Sequence, residues 1–356
     1  MEKIVKRIRS IMRRWGWIVL VGLIAAAGGL YTWFTDPSPP VLVEPDVTFF
    51  TIATGSTAGT YFPVGRMIAS VISQPPGAES CATGERCGVP NLIANAKTSP
   101  GSVANVRIVN SGQIDSALAQ ADVVYAAFTG ERFFAGERPL NNLRVIANLY
   151  PEAMHLAVRK DAGITRIEDL HGKRVSLDLP GSGTRADAEI ILKAYGLRLS
   201  RMDIISVNSS VASDMILRDE LDAFFVVAGT PVPAITDLAN RGAITLIPVE
   251  GTSVDRLTED YRFLAPTVIS AGTYKDIGDI KTLSVGALWV VNKNADEELI
   301  YNITRALFDS ANKPALESDH DKGQSITLDN AVRGVPILLH PGALRFYVEM
   351  GVLYDG

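Results

Sequence analysis

The sequence has few of the residues that usually carry catalysis or bind metals. Among 356 residues there are two cysteines and four histidines. There is no G-x-S-x-G nucleophile motif, no P-loop lysine and no H-E-x-x-H zinc motif. The run Asp319-His320-Asp321 is a poor metal site, because three adjacent residues do not converge easily on one ion. We therefore expect no enzyme, no metal and no cofactor; a transferase is the enzymatic alternative.

Basic residues are concentrated at the N-terminus. Residues 1–14 carry a net charge of +5, whereas the whole chain carries −5, so the remainder holds −10. A strongly acidic body without a basic stripe argues against nucleic acid as the partner.

The basic head is followed by residues 15–34, which contain no charge. Twenty helical residues span about 30 Å, the thickness of a bilayer core. The positive flank predicts a cytoplasmic head at 1–14, a transmembrane anchor at 15–34 in the inner membrane and a body in the periplasm. A cleaved signal peptide is the alternative, because Ala25-Ala26-Ala27 provides a cleavage site. Residues 35–46 contain four prolines and are predicted to form a stiff linker.

The two cysteines agree with export. Cys81 and Cys87 flank a short segment with Gly84 available for a turn, so they are predicted to form a disulfide. Closing so short a loop contributes roughly 2 kcal/mol in the chain-entropy model.

The body alternates apolar strands with helical patterns, which is typical of a mostly parallel α/β protein. Residues 114–118 continue a helical pattern, and 123–127 are predicted as the strand after it. Residues 143–149 and 155–158 are predicted as two strands separated by Tyr150-Pro151-Glu152.

A strand at 49–53 leads into a loop of small and hydroxyl residues and then a helix that begins near Thr60. Gly55 and Gly59 allow the backbone to pass close to a ligand, and the loop contributes the hydroxyls of Ser56, Thr57 and Thr60. No charged residue lies between Thr48 and Gly65, so a bound anion would be held by N–H groups and the helix dipole. An ordinary strand-to-helix turn is the alternative.

The same arrangement of strand, small-residue loop and helix occurs a second time. Its loop is Gly181-Ser182-Gly183-Thr184, which follows a strand and precedes a helix at 185–195. Two such loops in two lobes are typical of extracytoplasmic binding proteins, which close around a small anion by a hinge motion.

Several motifs in order resemble the TAXI family, the solute-binding subunits of tripartite ATP-independent periplasmic (TRAP) transporters. They cover most of the chain and lie at 54–65, 101–105, 120–122, 169–175, 181–184, 222–229 and 339–343.

The resemblance implies a type II periplasmic-binding-protein fold, with one α/β lobe from 47–145 and 270–356 and the other from 146–269. The implied ligand is a small organic anion, either an amino acid or a dicarboxylate of glutamate-like size. The implied partner is the membrane subunit of a TRAP permease. A receptor that signals to a partner protein is the functional alternative.

The predicted ligand-binding residues combine the two loops with positions implied by the resemblance. They are Ser56, Thr57, Gly59, Thr60, Tyr61, Ser102, Asn105, Gln120, Asp122, Ser182, Gly183, Thr184, Arg185 and Gly229. Gln120 and Asp122 are expected at the end of the helix that precedes the strand at 123–127. Other roles stay open for five of them: core packing for Tyr61, loop support for Asn105 and Gln120, a hinge or helix end for Asp122, and solvent exposure for Arg185.

Overall fold

The computed structural model describes residues 2–35, 46–78, 87–261 and 263–353. The chain divides into two compact units, Met1–Asp46 and Val47–Gly356. The first unit contains one helix, α1 (Glu2–Thr35). Its segment Arg7–Gly29 is long and apolar enough to cross a membrane, a test that a signal sequence also passes.

Two predictions involve residues outside the described ranges. The proline-rich linker at 35–46 falls almost entirely on residues 36–45, and Cys81 lies in the range 79–86. The linker and the Cys81–Cys87 disulfide therefore stay predictions.

The second unit is built on one sheet whose strands come from the whole length of the unit. The strands are β1 (Thr48–Ala53), β2 (Ser73–Gln74), β3 (Val89–Pro90), β4 (Leu92–Lys97), β5 (Ser116–Gln120), β6 (Leu143–Arg159), β7 (Arg174–Ser176), β8 (Asp203–Ile205), β9 (Ala223–Ala228), β10 (Ile244–Ile247), β11 (Ala265–Ile269) and β12 (Ile280–Asn292).

Helices connect most of these strands. They are α2 (Tyr61–Ile72), α3 (Ser102–Asn110), α4 (Ala121–Thr129), α5 (Gly183–Ala194), α6 (Ser209–Leu217), α7 (Pro233–Asn240), α8 (Thr252–Asp260), α9 (Glu297–Phe308), α10 (Lys313–Asp319), α11 (Leu328–Ala331) and α12 (Pro341–Glu349). Short 3-10 helices lie at Arg132–Phe134, Ile167–Leu170, Leu199–Arg201 and Asp321–Ser325.

The sheet is mixed, which corrects the expectation of a mostly parallel one. Its order is β3-β2-β4-β1-β5-β12-β6-β9-β7-β8, with β10 on β6 and β11 on β12. The outer pairs β1–β4, β1–β5, β7–β8 and β7–β9 are parallel. The central strands β6 and β12 run antiparallel to each other and to β9 and β5 respectively. The two long central strands therefore connect two parallel halves.

The prediction of two strands at 143–149 and 155–158 is wrong, because β6 is continuous for 17 residues. Its first part pairs with β12, and from Ala153 onward it also pairs with β9. Pro151 lacks an N–H, but the residues before and after it in β6 stay paired with the adjacent strands. The proline therefore interrupts the sequence pattern of the strand without ending the strand. Glu152 is thereby held at the centre of the sheet.

The order of elements at 113–129 is the reverse of the prediction. Residues 116–120 form β5 and 121–129 form α4. All five residues of β5 are buried between β1 and β12, so small apolar side chains fit there even though alanine favours helices in isolation. Gln120 is thus the last residue of a strand, and Asp122 lies in the first turn of a helix.

Candidate functional site

A cavity of about 50 Å³ lies where loops from both parallel halves of the sheet meet. This volume is small beside the roughly 300–1,000 Å³ typical of drug-sized ligand pockets, so the loops around it are close together. The predicted residues that line it are Ser56, Gly59, Thr60, Tyr61, Ser102, Gln120, Ser182, Gly183 and Thr184.

The first wall is the loop between β1 and α2. Ser56 holds this loop in a turn, because its carbonyl accepts from Gly59 N at 3.1 Å and its Oγ accepts from Ala58 N at 3.3 Å. Thr60 precedes α2, and its side chain makes no capping bond to that helix. Its Oγ instead donates across the site to the Gly229 carbonyl at 2.7 Å.

The second wall is the loop between β7 and α5. Ser182 caps α5, since its Oγ accepts from Arg185 N at 3.0 Å. Gly183 follows in close contact with the end of β5, where a β-carbon would lie 1.3 Å from Gln120 Oε1. Only glycine fits between α5 and Gln120 in this arrangement.

The second wall and α5 bond to α3 and β5, and the first wall bonds to the loop after β9. Ala104 N donates to the Gly181 carbonyl at 2.9 Å, and Gln120 Nε2 donates to Asp187 Oδ2 at 2.7 Å. Together with the Thr60–Gly229 bond, these contacts hold the loops around the cavity.

Three helices begin at the cavity. Their first residues are Tyr61 in α2, Ser102 in α3 and Gly183 in α5, and all three line it. Within the described part of the chain, the backbone N–H groups of these residues have no hydrogen-bond partner. Free N–H groups and aligned helix dipoles give this part of the cavity a partial positive charge, which suits a carboxylate.

Two carboxyl groups also line the cavity, Glu152 from β6 and Asp178 from the loop after β7. Tyr61 Oη donates to Glu152 Oε2 at 2.7 Å. Burial raises the pKa of Glu152 to about 8, although the Tyr61 hydrogen bond opposes the shift. Burial likewise raises the pKa of Asp178 to about 7. Both groups therefore titrate near neutral pH.

Two more acids lie beneath the lining. Asp122 and Asp187 are almost fully buried, and burial raises the pKa of each, with the Asp122 charge adding to the shift of Asp187. The nearest cation to Asp122 is Arg132, whose Nη1 is 3.9 Å from Oδ2. Two buried carboxyls with one distant cation favour a shared proton over two charges.

Within the described residues, no group of three or more His, Cys, Asp or Glu side chains is arranged to hold a metal ion.

The pattern of a known family matches residues 52–351 of this sequence, the family described as NMT1-like. The chain belongs to the NMT1-like family.

Solved structures of periplasmic binding proteins are similar to this NMT1-like chain in fold. The periplasmic binding protein BugD is 12% identical, with a TM-score of 0.51, over 86% of this chain and 95% of that one. The alkanesulfonate-binding protein SsuA from Xanthomonas axonopodis pv. citri, bound to MOPS, is 12% identical with a TM-score of 0.45, over 87% and 81%. The similarity to BugD shows that the chain has the mixed α/β periplasmic-binding-protein fold.

The other predicted residues of the NMT1-like chain lie outside the lining. Asn105 supports the walls, since its Nδ2 donates to the carbonyls of Thr54 and Leu118, both at 2.7 Å. Arg185 points away, with Nε bonded to Glu189 Oε1 at 3.0 Å and Nη1 to Ser206 Oγ at 2.9 Å. The remaining three are Thr57, which is exposed; Asp122, which is buried beneath; and Gly229, which accepts from Thr60.

Sequence reasoning missed Glu152, Asp178 and Asp187. The signal for Glu152 is an acidic residue inside an apolar run, although the same run also fits a break between two strands. Asp187 has a similar signal, because it is the acidic residue on the buried face of α5. A buried acid that forms no ion pair with a described basic side chain is worth treating as a candidate site residue.

Thr60→Val is expected to lower the free energy of unfolding of the second unit by about 1–2 kcal/mol, because the buried Gly229 carbonyl loses its Thr60 hydrogen bond. Urea denaturation followed by circular dichroism measures the change. Thr258→Val is the matched control, since Thr258 Oγ bonds to the Asp255 carbonyl on an exposed surface. Equal losses from the two variants would contradict the role assigned to Thr60.

Proposed function

We propose that this chain is a membrane-tethered solute receptor of the TAXI type. It binds a small organic anion, an amino acid or a dicarboxylate of glutamate-like size, and delivers it to the membrane subunit of a TRAP permease. The observation that carries the proposal is the meeting of three helix N-termini, with free N–H groups, at one cavity. Such ends bind carboxylates without ion pairs, which favours release to a transporter.

Residues 47–145 and 270–356 act as one lobe in this proposal, and 146–269 as the other. The bonds Thr60–Gly229, Ala104–Gly181 and Gln120–Asp187 then join the lobes in a closed arrangement. Ligand enters when these bonds break and is enclosed when they form again. Opening replaces a few hydrogen bonds between the lobes by hydrogen bonds to water. The open and closed states are therefore close in free energy.

The N-terminal helix acts as an uncleaved anchor that keeps the body in the periplasm, beside the permease. The basic residues before Arg7–Gly29 support this orientation. The family match and the fold support a binding protein over an enzyme.

Uptake measurements test the delivery step. Cells that carry the full chain together with the TRAP membrane subunits of its own organism are expected to accumulate labelled L-glutamate or succinate. Deletion of this chain alone, or of the membrane subunits alone, should abolish uptake, because each is needed for delivery.

A cell that keeps full uptake without this chain would contradict the transport role. If the purified chain still bound the solute, that result would favour the signalling receptor.

A further inference from the structure

Asp122 and Asp187 are two buried acids that lie outside the lining of the cavity. Asp122 is 0% exposed in the first turn of α4, and Asp187 is 1% exposed in α5. Their carboxyl groups are close enough to hydrogen-bond to each other. Two ionised carboxylates cannot bond in this way, because both have only acceptor oxygens. One of the two groups therefore carries a proton.

Most oxygens of this acid pair lack another donor. Asp187 Oδ2 accepts from Gln120 Nε2 at 2.7 Å. Both oxygens of Asp122 and Oδ1 of Asp187 are buried and accept no well-formed hydrogen bond from a described residue. Buried acceptors without a donor are costly, and a proton held between the two carboxyls supplies that donor.

Arg132 neutralises the acid pair only weakly. Its guanidinium stacks over the Tyr261 ring at 4.0 Å, and its buried Nη1 lies 3.9 Å from Asp122 Oδ2 without a hydrogen bond. An ion pair this long does not offset the burial of two negative charges. The surroundings thus favour one charge and one proton on the pair.

Other groups around the pair act in the same direction. Glu152 on β6 faces both acids and repels their charges. The N–H groups at the start of α4 favour a charged Asp122, but burial outweighs them and raises its pKa. Burial and the Asp122 charge raise the pKa of Asp187 well above its usual range. The groups that face Glu152 in turn are Tyr61, Tyr150 and Lys322.

We infer that Asp122 and Asp187 form a proton-binding site between the two proposed lobes, which takes up about one proton as the lobes close. The inference rests on the proposed receptor function, because Asp122 belongs to the lobe that contains 47–145 and Asp187 to the lobe 146–269. In the closed arrangement the carboxyls meet and share the proton. When the Gln120–Asp187 bond breaks and the lobes separate, each carboxyl meets water and ionises near its ordinary pKa of about 4.

Lower pH therefore favours the closed form. Between about pH 4 and the raised pKa of the pair, the closed form holds one proton on these acids and the open form holds none. Each fall of one pH unit in this range raises the ratio of closed to open molecules by up to about tenfold. Solute is bound more tightly as the surroundings become acidic and is released more easily as the pH rises.

The distance between the lobes tests the inference without a choice of ligand. Spin labels on p-acetylphenylalanine, introduced at Asn240 of α7 and Ser318 of α10, leave the native cysteines unlabelled. Both positions are exposed, and the labels span the groove that Asn240 and His320 line. Pulsed dipolar EPR on the ligand-free full chain in detergent should show a closed-to-open ratio that rises about five- to tenfold from pH 7 to pH 6.

Amide variants assign this pH dependence to the pair. Asp187→Asn should take up about one proton fewer on closing than the native chain, because an amide N–H then replaces the shared proton. Asp122→Asn should lose the same proton, and the double variant should lose no more than either single variant. Asp214→Asn is the matched control, since Asp214 is exposed on α6 and should leave the pH dependence unchanged.

Urea denaturation confirms which variants are folded, and either single variant is sufficient for the comparison. An unchanged pH dependence in a folded single variant would overturn the proton site. A second proton lost in the double variant would overturn the sharing of one proton. Glu152 is common to all these proteins, so any proton that it takes up cancels in the comparison.

Calorimetry separates this inference from the receptor function. L-glutamate and succinate are titrated in two buffers of different ionisation enthalpy, which counts the protons taken up on binding. Binding with the same proton count in Asp187→Asn and the native chain would overturn the proton site and leave the receptor standing. Absence of binding by both probes, with the pH-dependent closing intact, would contradict the proposed receptor and leave the proton site standing.

Discussion

Gly183→Ala is expected to weaken solute binding by about 100-fold or more. A β-carbon at this position would lie 1.3 Å from Gln120 Oε1 and 2.8 Å from Ser102 Oγ. Gln120 cannot simply rotate away, because its Nε2 donates to Asp187 and its Oε1 accepts from Ser102 Oγ at 3.3 Å. Loss of two buried hydrogen bonds costs about 1–3 kcal/mol each, which opposes closure of the loops around the ligand.

Calorimetry at 25 °C measures this loss, with urea denaturation to confirm that the variant is folded. Gly278→Ala is the control, since a β-carbon there would meet no atom within 4 Å. An affinity for Gly183→Ala within a factor of three of the Gly278→Ala value would contradict the tight contact between α5 and β5.

Gly342→Ala is expected to destabilise the second unit by about 3 kcal/mol, the upper part of the range for overpacking. A β-carbon would lie 2.2 Å from the Glu297 carbonyl oxygen and 2.7 Å from Tyr301 N, and both atoms belong to the backbone of α9. Backbone atoms cannot move aside as a side-chain end can, so α12 must shift away from α9. Neither Gly342 nor any residue of α9 lines the cavity, so ligand affinity in the folded fraction should be unchanged.

Urea denaturation gives the free energy of unfolding of Gly342→Ala, again beside Gly278→Ala. A change of less than 0.5 kcal/mol, the range of ordinary surface substitutions, would show that α12 adapts to the added carbon.

The sequence alone predicts both strand–loop–helix units, because small residues at a strand end followed by a helical pattern allow few other structures. The structure has β1 followed by α2, with Ser56 and Thr60 at the cavity, and β7 followed by α5, with Ser182 and Thr184 at the cavity. The resemblance to TAXI proteins adds Ser102 and Gln120 to the predicted site, and both residues also line the cavity. The start of a helix depends on residues that are adjacent in the chain, so it can be predicted from the local sequence.

Non-local pairing explains the errors. Residues 116–120 form a strand because they fit between β1 and β12, and neither neighbour is close in sequence. β6 continues through Pro151 because β12, more than a hundred residues later, pairs along it. Since these pairings place Glu152 at the cavity, the same errors concealed the acidic half of the site.

The structure also gives the positions of residues for which the sequence allows more than one role. Tyr61 both packs in the core, at 9% exposure, and faces the cavity with its hydroxyl bonded to Glu152. Asn105 bonds to the backbone carbonyls of Thr54, just after β1, and Leu118 in β5, and so shapes the loop. Core packing and a place in the candidate site are therefore compatible roles for Tyr61.

Binding calorimetry tests directly whether this chain is a solute receptor. The full chain in detergent micelles is titrated with a panel of amino acids and dicarboxylates, and the same panel is repeated with Ser56→Trp, whose indole would fill the cavity of about 50 Å³ that Ser56 lines. We expect one-site binding of at least one panel member to the native chain and none to Ser56→Trp. Binding to neither protein, or equal binding to both, would contradict it.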